Sequence, residues 1–210
     1  MKYNTINKFK SEILPDWEYI PIDADKIILG TFPTKYDNRS FEFFYPNNRN
    51  KFWEILSEIT GINLSKISNN EIEKNNAVSE RKNILNKLKL GISDMGKIIL
   101  RQNNSSLDND IFPIEFNDVF TILEEYPNIK TIIFTSGSSG NSAYSWFKAY
   151  CNINNISINK NEDNEYPKEY FILLNDIKIK IFIVKSTSPR ATRKDEHDIL
   201  ISMYKKVLGK

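Results

Sequence analysis

The densest chemical potential in this 210-residue chain lies in Phe41-Glu42-Phe43-Phe44-Tyr45-Pro46-Asn47-Asn48-Arg49-Asn50-Lys51-Phe52-Trp53. Aromatic faces stack on nucleobases, while amide and guanidinium groups hydrogen-bond base edges. The competing reading is a core cluster beneath a helix that starts near Lys51. Phe52 and Trp53 fit that reading; Tyr45 and Asn50 fall in the loop before the helix. Three other segments combine hydroxyls with glycine or cations: Gly30-Thr31-Phe32-Pro33-Thr34, Thr135-Ser136-Gly137-Ser138-Ser139-Gly140 and Lys185-Ser186-Thr187-Ser188-Pro189-Arg190. Such loops suit close backbone approach to a phosphate or a polar heterocycle. Lys185, Arg190, Arg193 and Lys194 stand together without an acid until Asp195-Glu196. They read either as a solvated basic loop or as a phosphate clamp.

Other chemistries lack parts. The Ser/Gly loop has no G-x-x-x-x-G-K-[ST] pattern, which argues against a nucleotide-triphosphate site and leaves a generic turn or a site wall. His197 is the only histidine and is expected at the start of the last helix, so Ser–His–Asp and Cys–His arrangements have little support. Cys151 follows Tyr144…Trp146-Phe147…Tyr150 and reads as a core thiol. A single cysteine also excludes an internal disulfide and an iron–sulfur cluster held by this chain alone. No His/Cys/Asp/Glu spacing resembles a catalytic metal site.

The three loops each follow a short, β-branched apolar run: Lys26-Ile27-Ile28-Leu29, Thr131-Ile132-Ile133-Phe134 and Ile179-Lys180-Ile181-Phe182-Ile183-Val184. Runs without polar alternation are what strands buried on both faces look like. Helical patterns lie between them. Phe52-Trp53…Leu56…Ile59 ends at Gly61, a helix-terminating residue, and Asn117 or Asp118 caps Val119-Phe120…Leu123…Tyr126 before Pro127. The tail stripe Ile199-Leu200, Met203-Tyr204, Val207-Leu208 closes at Gly209. Segment 66–90 is polar and is expected to hold two short helices, one around Ile84-Leu85-Leu88. A hairpin, Tyr170–Leu174 and Ile177–Val184, is expected around Asn175-Asp176. The alternation predicts one α/β domain over residues 1–210, a three-layer α/β/α sandwich around a mostly parallel sheet of about four strands. Ligands of such sheets bind beyond the carboxyl ends of the strands, so the three loops are expected to meet on one edge.

Composition sets broad limits. Apolar residues make up 40% and charged residues 27%, and 29 basic against 27 acidic side chains leave a net charge of +2. That excludes a supercharged binder and is silent about a local basic patch. The Asn-Asn pairs at 47–48, 69–70, 75–76, 103–104 and 154–155 read as surface composition. No apolar run approaches the roughly 20 residues needed to span a bilayer. The opening MKYNTINKFKSEILPDW carries no secretory h-region. A reduced, cytoplasmic monomer without membrane contact is the expectation.

Taken in order, the motifs resemble the uracil-DNA glycosylase superfamily, most closely its mismatch-specific and hypoxanthine-DNA (deoxyinosine) glycosylase branch. That branch carries G-S-F-P-S after its first strand, then an aromatic pair, then N-x-F-W twenty residues beyond the first Gly. Here Gly30-Thr31-Phe32-Pro33-Thr34 precedes Phe44-Tyr45 and Asn50-Lys51-Phe52-Trp53, at the same spacing of twenty. Asp94, Arg101 and Ser106-Leu107-Asp108 resemble its middle signature, and Ser186-Thr187-Ser188-Pro189 its final S-T-S-P. The resemblance spans about residues 26–205.

The resemblance implies a monofunctional DNA-repair glycosylase of base excision repair, with damaged DNA as partner and neither cofactor nor metal. It would flip out hypoxanthine or uracil and hydrolyse the N-glycosidic bond; weakly paired lesions cost least to extrude. It assigns Asn50 to water positioning, Gly30, Thr31, Phe32 and Pro33 to binding the base, and Tyr45 to stacking on it. The backbone amides around Phe32 would stabilise the leaving anion as an oxyanion hole does. Ser186, Thr187, Ser188 and Pro189 would grip the flanking phosphates, and Arg190 would enter the gap in the duplex. Other branches place Asp, Asn or Glu in the first motif where Phe32 stands, and the classical uracil enzymes have His where Ser186 stands. The hypoxanthine branch shares both differences, so the catalytic weight falls on Asn50. Arg190-Ala191-Thr192-Arg193 and the serine-rich loop after residue 134 depart from the branch. Two alternatives stay open: a diverged, catalytically weak member that binds nucleic acid or a nucleotide without cleavage, and an unrelated small-molecule α/β enzyme.

Overall fold

The computed structural model describes residues 8–65, 67, 70–137, 140–160, 165–189, 191 and 196–210. In chain order the elements are β1 (Phe9–Ile13), β2 (Lys26–Gly30), α1 (Phe52–Thr60), α2 (Glu71–Leu88), β3 (Leu90–Asp94), β4 (Gly96–Gln102), β5 (Ile111–Phe116), α3 (Val119–Glu125), β6 (Thr131–Phe134), α4 (Ala143–Ile153), β7 (Asn159–Lys160), β8 (Lys168–Leu174), β9 (Ile177–Ile183) and α5 (His197–Leu208). The architecture is mixed α/β. One sheet has six strands in the order β3-β2-β6-β9-β8-β7, and a second has three in the order β1-β4-β5.

The three apolar runs are neighbours. β2 pairs in parallel with β3 and β6, and β6 pairs in parallel with β9. Each is covered on both faces because its residues alternate between two cores. Ile27, Leu29, Ile132 and Phe134 pack with α3, α4 and the small sheet. Ile28, Ile133 and Val184 pack with α1, α2 and α5. At roughly 1.5–3 kcal/mol per fully buried large apolar side chain, these two layers supply the driving force for the fold.

The sheet departs from the expected four strands in two ways. β8 and β7 add antiparallel strands at one edge through the hairpin turn at Asn175 and Asp176, both at positive φ (50° and 62°), as a two-residue hairpin turn requires. The β1-β4-β5 sheet was not expected at all. Segment 66–90 also differs: in place of two short helices, residues 71–88 form the single helix α2, capped by the Asn70 side chain accepting from the Ile72 amide. Other boundaries match. α1 ends at Gly61 (φ 69°), Asp118 caps α3 by accepting from the Thr121 amide, and α5 closes at Gly209 (φ 69°). Among the described residues no helix is long and apolar enough to cross a membrane.

Candidate functional site

The carboxyl ends of β2, β6 and β9 open onto one cavity of about 670 Å³, lined by the Gly30–Thr34 turn, Thr135, Ser136 and Ser186–Pro189. The volume falls within the range of small-molecule and base-sized ligand sites, ~300–1,000 Å³. The three loops therefore meet on one edge, as expected from parallel pairing. Two further segments close the cavity: Phe44–Asn50 before α1, and Asp94 with the Ser106–Asn109 stretch.

The Gly30–Thr34 turn is held from behind. The Gly30 and Thr31 carbonyls accept from the amides of Met95 (2.9 Å) and Gly96 (3.0 Å). The Pro33 carbonyl accepts from Arg101 Nη2 (2.8 Å), and the Thr34 carbonyl from Arg39 Nε (2.9 Å). No described residue accepts from the Thr31 or Phe32 amide. Four of the turn's five carbonyls are thus occupied, and two backbone donors belong to residues of the cavity lining, an arrangement suited to a carbonyl oxygen or a developing anion. The Phe32 ring itself is buried in the core.

Arg101 organises this turn. It is buried (2% exposed), and its Nε meets both Glu12 carboxylate oxygens at 3.0 and 3.1 Å. Its Nη1 donates to the Ser105 carbonyl (2.7 Å), which ties the turn to the segment carrying Ser106-Leu107-Asp108. Asn38 Nδ2 donates to Ser106 Oγ (2.7 Å) across the same gap.

Tyr45 and Asn50 are positioned by their own segment. Tyr45 sits at φ 48°, its ring stacks on Phe52 with centroids 4.0 Å apart, and its hydroxyl bonds Thr135 Oγ1 (2.8 Å). Burial, with Asp94 second, holds that hydroxyl well above the ordinary phenol range. Asn50 Oδ1 accepts from the Phe52 amide (3.0 Å) and from Thr187 Oγ1 (2.7 Å). An amide N–H can only donate, so the Phe52 contact fixes which end of the carboxamide faces the helix. Both lone pairs of Oδ1 are occupied, and Nδ2 has no acceptor among the described residues. Asn50 therefore offers the cavity a donor, which can hold a water by its oxygen but does not take its proton.

The last motif is stitched to α1: the Lys51 amide donates to the Thr187 carbonyl (3.1 Å). The Thr187 side chain is buried, with its hydroxyl on Asn50. That hydroxyl is directed at Asn50 and helps to orient it. Ser186 and Ser188 line the cavity, Ser186 Oγ accepts from the Ser188 amide (3.2 Å), and Pro189 is exposed at the rim. Arg190, Arg193, Lys194, Ser138 and Ser139 lie outside the described residues.

Asp94 and Asp108 carry chemistry that the residue types alone did not assign. Asp94 ends β3 and is 5% exposed, and no described residue hydrogen-bonds its carboxyl group. Gly30 makes room for it, because a Cβ there would run into Asp94 Oδ1 and push the carboxyl group aside. Burial, helped by the neighbouring Asp108 charge, pushes the Asp94 carboxyl up to about 8. Asp108 stands at the mouth with much of its surface in solvent, and Thr31 Oγ1 donates to its Oδ2 (3.1 Å). Desolvation raises it too, against the pull of Thr31 and Arg101. Two carboxyl groups in one site do not both ionise readily, and the more buried one keeps its proton.

The Asp94 shift has a sign that can be measured. Between the ordinary carboxyl value of ~4 and about 8 the folded state holds a proton that the unfolded chain has lost. Stability contributed by this group is complete below the lower value and falls as pH rises to the upper one. Asp94→Asn removes the titration, so its melting temperature is expected to gain several degrees on the wild type between pH 5 and pH 9. Parallel thermal unfolding curves across that range check this; curves that keep a constant offset refute it.

The remaining residues fall as their types suggest. Phe52 and Trp53 are core, with Trp53 Nε1 donating to the Phe44 carbonyl (2.8 Å). Cys151 is buried and its thiol is pushed up to about 12, the opposite of an activated nucleophile. His197 opens α5 and meets Glu58 (3.1 Å). Among the described residues no group of three or more His, Cys, Asp or Glu is arranged to hold a metal ion. Compared with known proteins, the chain matches no family model, no curated protein and no solved structure.

Proposed function

We propose that this protein is a DNA glycosylase that takes a deaminated base, hypoxanthine or uracil, into the cavity and hydrolyses its N-glycosidic bond. The observation that carries the reading is the Gly30–Thr34 turn, with four of its five carbonyls tied back and the Thr31 and Phe32 amides without a described acceptor. Leaving of the base puts negative charge on its carbonyl oxygen, and preorganised N–H donors stabilise that charge without reorganising. Tyr45 supplies an immobile aromatic wall for the base. Asn50 Nδ2 holds the attacking water. With an oxocarbenium-like sugar the water needs placing more than activating, which suits a residue that donates and does not accept.

DNA would approach over the rim. Arg49 lines the cavity, is exposed and has no carboxylate partner among the described residues, so its charge is available to a phosphate. Lys185 is held by Glu196 (3.2 Å). Arg190, in a segment that is not described, remains the candidate for the gap in the duplex. No cofactor or metal enters this scheme, and the reading carries with it a cytoplasmic monomer.

A second reading, a diverged member that binds nucleic acid or a nucleotide without cleavage, has its own observation: Asn50 Oδ1 is fully occupied, so Asn50 does not accept the water's proton. Turnover separates the two. Labelled oligonucleotides carrying hypoxanthine or uracil, single-stranded and opposite each base, are incubated with protein and cleaved by alkali. Release of either base supports the glycosylase. Salt-sensitive DNA binding without release supports the binder, and absence of both removes nucleic acid from the account.

A further inference from the structure

We propose that Asp94 reads the lactam edge of the bound base, its carboxylic acid donating to the ring carbonyl oxygen while its other oxygen accepts from the adjacent ring N–H. This rests on the cavity being a base-binding site, as in the reading above.

The placement comes first. Asp94 is buried, faces the cavity and has no hydrogen-bond partner among the described residues. Its carboxyl group is therefore open on the cavity side, where a ligand can meet it. Its backbone is fixed: Asp94 pairs with Gly30 across the β2–β3 ladder, and its carbonyl accepts from Asn117 Nδ2 (3.3 Å). The glycine lets the carboxyl group lie directly against the turn that carries the Thr31 and Phe32 amides. A base held by that turn therefore has Asp94 at its edge.

The chemistry follows from the proton. A lactam edge presents an N–H beside a C=O, so its complement needs an acceptor beside a donor. A neutral carboxylic acid is both, whereas a carboxylate is acceptor only and would set its second oxygen against the ring carbonyl. The groups around Asp94 favour the neutral form. Asp108 faces it from the segment between β4 and β5, and Tyr45 from the loop before α1. Arg101 acts on Asp108 and is itself paired with Glu12, Tyr204 of α5 acts on Tyr45, and Glu18 is held by the Ser93 hydroxyl (2.8 Å) and Asn117 Nδ2 (3.4 Å). Arg49 stands farther out on the rim. No cation pairs with Asp94 itself among the described residues.

The test uses free hypoxanthine and 1-methylhypoxanthine as probes, with calorimetric titration of the wild type and Asp94→Asn from pH 6 to pH 9. The asparagine keeps an acceptor beside a donor and cannot ionise. The lactam's own ionisation is common to both proteins, so the ratio of their affinities isolates Asp94. With the carboxyl near 8, the wild-type to Asp94→Asn affinity ratio is expected to fall about tenfold across this range, following the loss of the binding-competent neutral form. 1-Methylhypoxanthine, which lacks the N–H, is expected to bind neither protein. A ratio flat with pH, equal binding of the methylated base, or no binding of hypoxanthine overturns the assignment. Base release from DNA together with a flat ratio would reject Asp94 and leave the glycosylase standing. A falling ratio without base release would keep the lactam site and reject the glycosylase.

Discussion

Asn50→Ala is expected to lower the rate of base release by roughly 10²–10³, the usual loss for one preorganised contact to the reacting groups. The Nδ2 donor is the feature removed, since Oδ1 faces the Phe52 amide and Thr187 rather than the cavity. The same substitution also removes the acceptor that meets the Phe52 amide at the start of α1, at a cost of about 1 kcal/mol. Asn50→Ser separates the two effects. Serine keeps an oxygen that can accept from a nearby backbone amide but is too short to carry a donor to the same point. The serine variant is expected to melt close to the wild type and to show the same loss of turnover in single-turnover base-release assays. Wild-type rates in the serine variant would remove Asn50 from the mechanism and leave it a structural link between the start of α1 and Thr187.

Arg101→Met is expected to lower the melting temperature by ~6–20 °C, from a loss of about 3–5 kcal/mol when one member of a buried ion pair is removed and about 2–4 °C per kcal/mol for a chain of this size. Its guanidinium meets Glu12 and two carbonyls at once, so the substitution orphans a carboxylate that is itself mostly buried and frees the Pro33 and Ser105 carbonyls. Arg101→Lys keeps the charge but cannot fork to all three, and should fall between. Differential scanning calorimetry of the three proteins checks the order. A shift below ~2 °C for Arg101→Met would mean that the clamp contributes little. In both variants base release should fall more than the folded fraction does, because the Gly30–Thr34 turn loses its hold on Pro33.

The legible part of this fold was its apolar periodicity. β2, β6 and β9 read as strands because they are buried on both faces and so lack polar alternation, and the loops after them were located by the same step. α2 was misread as two short helices for a definite reason. Its stripe runs Ala77, Arg81, Ile84, Leu85, Leu88, and the arginine occupies a core position by laying its guanidinium over the Phe41 ring (4.1 Å). A cation in a helical stripe looks like an interruption until its aromatic partner is known. The end of α2 was equally hidden: Lys89 takes the left-handed conformation (φ 51°) where a glycine would have announced the stop. β3 (Leu90–Asp94) begins where that segment ends, and Gly91, Ser93 and Asp94 break its apolar run, so the reason for Asp94 to stand at a strand's end was hidden with it. β4 and β5 form a small antiparallel sheet whose exposed positions and Pro113 leave little period to read.

By itself the sequence determined which residue types stand at the ends of the apolar strands, and hence that Gly30–Thr34, Thr135–Ser136 and Ser186–Pro189 share one edge. Local patterning suffices for that, since burial on both faces and parallel pairing follow from the runs themselves. Only the tertiary structure decided what each group does there. It turned Thr187 inward to hold Asn50, occupied Oδ1 so that only a donor remains, and buried Asp94 against Gly30 within reach of the Asp108 charge at the mouth. These are contacts between residues 14 to 137 positions apart, and both the proton on Asp94 and the direction of the Asn50 amide are properties of those contacts. The physical reason is that desolvation and hydrogen-bond direction arise from neighbours in space, which no spacing along the chain records.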